Sequence, residues 1–313
     1  VRLEFARAGF TWVVMGAYKN IRSIVAKCLL VLCTAGNMGG AYAAPDPAAT
    51  LRDKFSGLGE QLRQNPFGRP LVIESTDASN RLKGEIYATV DYPFSEVSGG
   101  LNSPEHWCDV ISLHINTKYC RAATAPSGTT LEVRIGKKTP QEVADATRVD
   151  FDYQVVAASA GYFDITLNAK NGPMGTSDYR IELEAVALPN AKTFIHLTYS
   201  YAFNFAGRLA MQTYLNTLAR DKVGFTAAGK RSDGQPEYVG GMRGLVERNA
   251  MRYYLAINSF LDSASGAPAA QFERRLQSWF AATEQYPRQL HEVERADYLQ
   301  MKHAENTRQQ SAH

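Results

Sequence analysis

From Arg81 onward, hydrophobic and polar side chains alternate one for one. Leu82, Ile86, Ala88 and Val90 interleave with Lys83, Glu85, Tyr87 and Thr89. Six further runs, at 113–121, 131–135, 149–156, 162–170, 178–187 and 193–202, repeat the pattern. Successive side chains of a strand point to opposite faces, so a period of two predicts half-buried strands of an antiparallel sheet. Gly128, Gly161, Asn171-Gly172-Pro173 and Pro189-Asn190 supply the turns between them.

Around this block the period lengthens to that of a helix. Leu51, Phe55, Leu58 and Leu62 follow Asp46-Pro47, an N-cap and first-turn proline, and predict one helix over 47–63. Leu71-Val72-Ile73 reads as a short strand. Phe94, Val97 and Leu101 fit a short helix, and Ser103-Pro104 opens a second one carrying Trp107 and Val110. Beyond Ala202 come a helix over 204–222, a loop over 226–241 and an amphipathic helix over 243–261 with Leu245, Val246, Met251, Tyr254 and Ile257. A linker, 263–270, leads to a helical region over 272–300 that Pro287 should interrupt, and the polar last dozen residues are expected to be disordered.

The first 43 residues follow a different pattern. Met15 precedes Lys19, Arg22 and Lys27, then the apolar run Cys28-Leu29-Leu30-Val31-Leu32-Cys33, then small residues ending in Ala41-Tyr42-Ala43. A charged start, a short apolar core and an A-x-A ending form a secretory signal, with 1–14 an upstream extension. The core is shorter than the roughly 20 residues a transmembrane helix needs, so the mature chain is expected to have no span. Export to the periplasm or medium follows as the expectation, with cleavage after Ala43.

Charge adds one exclusion. The 313 residues carry 34 basic and 31 acidic side chains, a net charge of +3. Five of the basic and one of the acidic residues lie in 1–43, which leaves 29 against 30 beyond it. No basic body remains to track phosphate backbones, so nucleic acid is excluded as a partner.

Export also decides how the cysteines are read. Cys28 and Cys33 leave with the leader, and Cys108 and Cys120 remain. A pair in an oxidising compartment predicts a disulfide, contributing about 3 kcal/mol through the loop it closes. Two buried thiols, or a metal site with His106 and His114, are the alternatives. The spacing fits no standard zinc pattern, and neither metal nor cofactor is expected.

One strand, two short helices, six antiparallel strands and then long helices is an order that resembles the START-like, or helix-grip, domain. The resemblance covers about residues 80–262. It is carried most by Tyr87-Ala88-Thr89-Val90-Asp91-Tyr92-Pro93-Phe94 and the two short helices before Leu113. It implies an α+β fold in which a curved antiparallel sheet wraps around a long C-terminal helix and encloses a pocket for an apolar ligand. Lipid-transfer modules, polyketide cyclases and hydrophobic-ligand binders share that fold. The chain departs from the pattern by an extra N-terminal segment (44–79), a linker and helical tail (263–313) and two candidate gripping helices, of which 243–261 is favoured.

Candidate site residues follow from the strands. His114, Asn116, Lys118 and Cys120 would share one face of a strand over 113–121. If that face points inward, the three polar groups line the pocket. If Leu113, Ile115, Thr117 and Tyr119 face the core, the polar set is solvated, and alternation favours this second arrangement. Phe151, Tyr153, Phe163, Tyr179, Tyr199 and Tyr201 would line a lipid pocket or fill a core. His196 is expected to be exposed or structurally satisfied. Gly240-Gly241-Met242-Arg243-Gly244 opens a helix without the preceding strand of a nucleotide fingerprint, and reads as a turn. No G-x-S-x-G elbow, H-E-x-x-H or P-loop is present.

Three functions are compatible with these features. The favoured one is an exported protein holding a hydrophobic ligand, of lipid class, between sheet and helix. The alternatives are a cyclase- or hydrolase-type enzyme with His114 as acid/base, and an envelope protein-interaction subunit using the helical tail. The export reading is directly measurable: N-terminal sequencing of the secreted protein should start at Ala44, and a mature chain retaining Met15 would refute it.

Overall fold

The computed structural model describes residues 46–217 and 219–311; the expected leader lies outside the described residues. Eight strands form one antiparallel sheet. They are β1 (Leu71–Ala78), β2 (Arg81–Val90), β3 (Thr117–Ala125), β4 (Gly128–Ile135), β5 (Thr147–Ala158), β6 (Tyr162–Asn171), β7 (Thr176–Leu188) and β8 (Lys192–Phe203). Their order is β1-β2-β8-β7-β6-β5-β4-β3, so the chain leaves β2, crosses to the far edge through two helices and returns strand by strand. The predicted strands are all present, with ends shifted by a few residues.

Two helices precede the sheet, α1 (Pro47–Gly57) and α2 (Gly59–Arg63), where one continuous helix was expected. The Gly57-Leu58-Gly59 step divides them, since glycine holds a helix weakly. Asp46 caps α1 by accepting from the Ala48 N–H at 3.1 Å. Two more helices, α3 (Phe94–Leu101) and α4 (Pro104–Leu113), make the crossing. After β8 come α5 (Phe205–Asn216), a small hairpin of β9 (Ala227–Lys230) and β10 (Pro236–Tyr238) inside the expected loop, and α6 (Gly241–Asp262). The helical end is α7 (Pro268–Thr283), α8 (Pro287–Leu290) and α9 (Arg295–Ser311). No described helix is long and apolar enough to cross a membrane.

The sheet holds α6, which runs against β2, β1 and β8. This is the helix-grip arrangement, and the favoured gripping helix is the one that occupies it. Close approach depends on Gly84: a Cβ there would stand 3.1 Å from the Val246 carbonyl oxygen and 3.2 Å from the Ala250 Cβ. Strand alternation separates two cores. Leu82, Ile165, Ile181, Leu183 and Leu197 face α6, whereas Tyr87, Tyr162, Val186 and Phe194 face the other way and are covered by Leu51, Phe55, Leu58 and Leu62. The Phe55 and Phe194 rings meet at 5.0 Å.

The outer face also carries His196, and it is satisfied there rather than exposed. Its Nδ1 lies 2.8 Å from Glu184 Oε2 and its Nε2 3.1 Å from Glu85 Oε1. Its ring stacks on Tyr87 at 4.3 Å.

Three expectations are corrected. The strand read over 113–121 begins only at Thr117: Trp107, Val110, Ile111 and Leu113 are all buried at helical spacing, so α4 runs on to Leu113. The C-terminal segment is neither an appendage nor disordered, because α9 runs to Ser311 along the edge strand β3. There the Tyr298 hydroxyl donates to the Leu113 carbonyl at 2.9 Å, and Gln309 Oε1 accepts from the Cys120 N–H at 3.2 Å. Buried Lys302 donates to the His114 and Thr117 carbonyls at 2.9 and 2.8 Å. Glu305 pairs with both Lys118 and Lys302 at 2.9 Å. An edge strand otherwise offers unpaired backbone groups to other chains, and α9 covers that edge. β1, expected to lie outside the domain, is the opposite edge of the same sheet. Glu305→Ala would leave two ammonium groups buried without a carboxylate. It should cost about 3–5 kcal/mol in urea unfolding, and an unchanged midpoint would mean that α9 is held by its apolar contacts alone.

Candidate functional site

Tyrosine dominates one end of the α6-facing side of the sheet. Tyr179 of β7 stacks on Tyr201 of β8 at 5.1 Å, with Phe151 of β5 edge-on to Tyr179 at 6.3 Å. Tyr199 lies 5.7 Å from Tyr201 and 5.3 Å from Tyr253 of α6. Tyr253 in turn stacks on His114 at 5.2 Å. A continuous aromatic path thus crosses from β5 to the end of α4 by way of the gripping helix. Alternation explains it: residues 151 and 153, 179, and 199 and 201 fall on the same face of their strands.

The hydroxyls at this end are unevenly satisfied. Tyr179 Oη lies 2.8 Å from Thr176 Oγ1. Tyr153 Oη is buried with no partner among the described residues. Tyr253 keeps 8% of its surface although it stands between helix and sheet. Burial pushes Tyr153 and Tyr179 up to about 12 and Tyr199 well above its usual range, so these phenols stay neutral.

His114 caps the C-terminal end of α4. Its Nδ1 accepts the Asn116 N–H at 3.3 Å. Burial, reinforced by the positive charges of Arg252, Lys302 and Lys138, holds its imidazole well below the ordinary histidine value. It is a neutral ring inside the protein.

The other expected polar residues go elsewhere. Asn116 donates its amide to the Gly136 carbonyl at 2.7 Å and braces the turn after β4. Lys118 sits at a β-bulge and turns to α9, with Ile115 O, Met301 Sδ and Glu305 as its contacts. Because the strand starts late and is bulged, His114, Asn116 and Lys118 do not share a face. Phe163 faces α6 but lies toward the other end of β6, paired with Ala185 rather than with the tyrosines. Cys108 and Cys120 form the expected disulfide, tying α4 to β3; both sulfurs are thereby used, which removes the metal alternative.

One part of the site was not expected. Arg248 and Arg252, one turn apart on α6, are 2% and 3% exposed. Arg252 pairs with Glu292 at 2.6 Å and donates to Asn249 Oδ1 at 3.3 Å, while its Nε has no partner. Lys138, from the loop after β4, bridges Glu292 at 2.7 Å and the Tyr214 hydroxyl of α5 at 2.9 Å. Arg248 donates to the Val223 carbonyl at 3.3 Å. Burial and then Arg252 bring its guanidinium down to about 10, still charged at neutral pH. Burial likewise lowers Lys222, which donates to the His291 carbonyl and whose charge is opposed by Lys138, Arg252 and Arg248. Burial acts to raise Glu292, but Arg252 and Lys138 hold it below the usual carboxylate value. A pocket lined by Arg252, Ile115, Trp279, Leu290, Glu292 and Tyr298 lies on the helical side of α6. In the sequence Arg248 and Arg252 read as the solvated stripe of an amphipathic helix. Only the cover from α5, α7 and α8 buries them.

No family model matches this sequence, and no curated protein matches it. Among solved structures the chain is similar to norcoclaurine synthase from Thalictrum flavum at 13% identity, over 48% of this chain and 82% of that one, with a TM-score of 0.32. It is similar to CalU16 from Micromonospora echinospora at 12% identity, over 68% and 94%, with a TM-score of 0.30. It is also similar to human StAR-related lipid transfer protein 5 at 9% identity, over 55% and 91%, with a TM-score of 0.29. At scores of this size the likenesses carry no argument; the helix-grip assignment rests on the strand order and on α6.

His114 and His196 should be shifted in opposite directions. His114 should remain neutral on both sides of 6.5, the ordinary histidine value. For His196 burial acts downward, but the hydrogen bonds its ring donates to Glu184 and Glu85 hold it above that value. The stability it adds is therefore complete below 6.5 and fades as pH rises through its raised value. Two-dimensional NMR of the ring protons reads both, and a His114 signal that titrates near 6.5 would show that its site is wet.

Proposed function

We propose that this chain is an exported protein that binds a hydrophobic ligand, of lipid class, between the sheet and α6. The observation that carries the reading is the set of tyrosines at one end of the interior, with Tyr153 Oη left without a partner. A buried hydroxyl without a hydrogen bond costs about 1–3 kcal/mol, and closed cores rarely keep one. Aromatic walls with a few convergent polar groups are instead the ordinary composition of a small-molecule site. Asn249 and Tyr253 present further polar atoms from the helix side. Export is supported by the leader pattern over 15–43 and by a disulfide that suits an oxidising compartment.

The alternatives have less support. An acid/base role for His114 meets an enclosed ring that burial keeps neutral and whose Nδ1 is engaged by the Asn116 N–H. A partner-binding role for the C-terminal helices meets side chains already spent on the domain itself: α9 on β3, and Trp279 of α7 donating to the Arg252 carbonyl at 3.1 Å.

Native mass spectrometry of gently purified protein, followed by solvent extraction, should release an apolar molecule in roughly stoichiometric amount. Tyr153→Phe removes the orphaned hydroxyl. It should raise the stability of the ligand-free protein by about 1 kcal/mol while weakening ligand retention. Protein that carries nothing and takes up no apolar probe would overturn the reading.

A further inference from the structure

Four cations converge where α6 meets the segments around it: Arg248 and Arg252 from the helix, Lys138 from the loop after β4, and Lys222 from the segment after α5. Among the described residues, Glu292 is the single carboxylate within ion-pair distance of any of them, and it serves only Arg252 and Lys138. Arg248, almost wholly buried, has no carboxylate partner there and donates to one backbone carbonyl. Arg252 keeps a buried, unpartnered Nε. An unpaired charge in the interior is normally among the most costly arrangements a fold can keep. The cluster also borders the tyrosine end. Lys138 holds the Tyr214 hydroxyl, Arg252 holds Asn249, and Tyr253, next to Arg252 on α6, has its ring 5.3 Å from Tyr199 and 5.2 Å from His114.

We propose that this cluster takes the anionic head group of the bound ligand, so that the ligand is an amphiphile whose oxyanion lies among Arg248, Arg252 and Lys138 and whose apolar part lies among the tyrosines. The inference rests on the binding function proposed above and names the ligand class. The guanidinium groups suit it: their planar donor forks match carboxylate, sulfate or phosphate oxygens. The excess positive charge is then a site prepared for its counter-charge, with Glu292 orienting Arg252 and Lys138 rather than neutralising the whole set. The pocket on the helical side of α6, which Arg252 and Glu292 also line, is a poorer seat for an anion, since it adds Glu284 and lacks Arg248 and Lys138.

Decanoate and 1-decanol, which differ in the head group alone, test this on the full chain by isothermal titration calorimetry. Decanoate should bind at least about tenfold more tightly. Lys138→Gln should bring that ratio close to one, and so should Arg248→Gln if the variant folds. Lys138 is half-buried, so its variant keeps the test usable if Arg248→Gln unfolds. Lys137→Gln changes an exposed neighbouring charge and should leave the ratio as it was. Equal binding of the two probes to the unaltered chain overturns the anion site and leaves the hydrophobic-ligand function standing. Binding of neither probe overturns both. A ratio that survives Lys138→Gln in folded protein also overturns the assignment, because the preference then arises elsewhere.

Discussion

Sixteen of the 22 residues of α6 are buried, so this helix has no solvated face. The sheet covers one side, through Gly84 and the apolar residues around it, and α4, α5, α7 and α8 cover the rest. A helix enclosed in this way cannot leave its polar residues to water. Each must find its answer in the protein, and the answers organise the neighbouring chain. Glu247 accepts the Phe225 and Thr226 N–H groups at 2.6 and 2.9 Å and so fixes the start of the small hairpin. Arg252 holds Glu292, and its own carbonyl takes the Trp279 indole N–H. The helices after Ser263, which look like an addition to the domain, are what makes α6 an interior element.

The same demand recurs at the far edge of the sheet. β3 is an edge strand whose Lys118 is fully enclosed, and enclosure without a carboxylate would be untenable. α9 supplies Glu305 and brings Lys302 to the carbonyls at the end of α4. The Cys108–Cys120 bond joins those same two elements covalently. Helix α4, strand β3 and helix α9 therefore form one braced corner, and His114 sits at its inner side with its ring fixed against Tyr253.

Pattern periodicity made most of the fold legible. The period-two runs located the strands because each has one face toward α6 and the other toward α1 or solvent. It failed at His114, Asn116 and Lys118 for an identifiable reason. Alternation assigns faces only inside a strand, and this stretch is a helix end, a turn and a bulge that together mimic the pattern over a few residues. The aromatic residues of β5, β7 and β8 lie together on the α6-facing side because the face rule held for them. Tyr253, Asn249, Arg248 and Arg252 were missed because all lie on a helix whose polar stripe looks the same whether water or protein covers it.

The sequence by itself determined the strand positions, the antiparallel sheet, the gripping helix and the pairing of Cys108 with Cys120. All of these are local periodicities or a two-member choice, and nearest neighbours along the chain suffice to express them. Tertiary structure alone decided that the C-terminal helices belong to the domain and that His114 is neutral and enclosed. It alone decided that four cations gather around a single carboxylate that pairs with only two of them, beside a tyrosine-lined interior. Those properties depend on what covers a side chain, and the covering groups come from segments tens to hundreds of residues away. A charged residue carries no mark in the sequence of whether its partner will be water, a carboxylate or nothing.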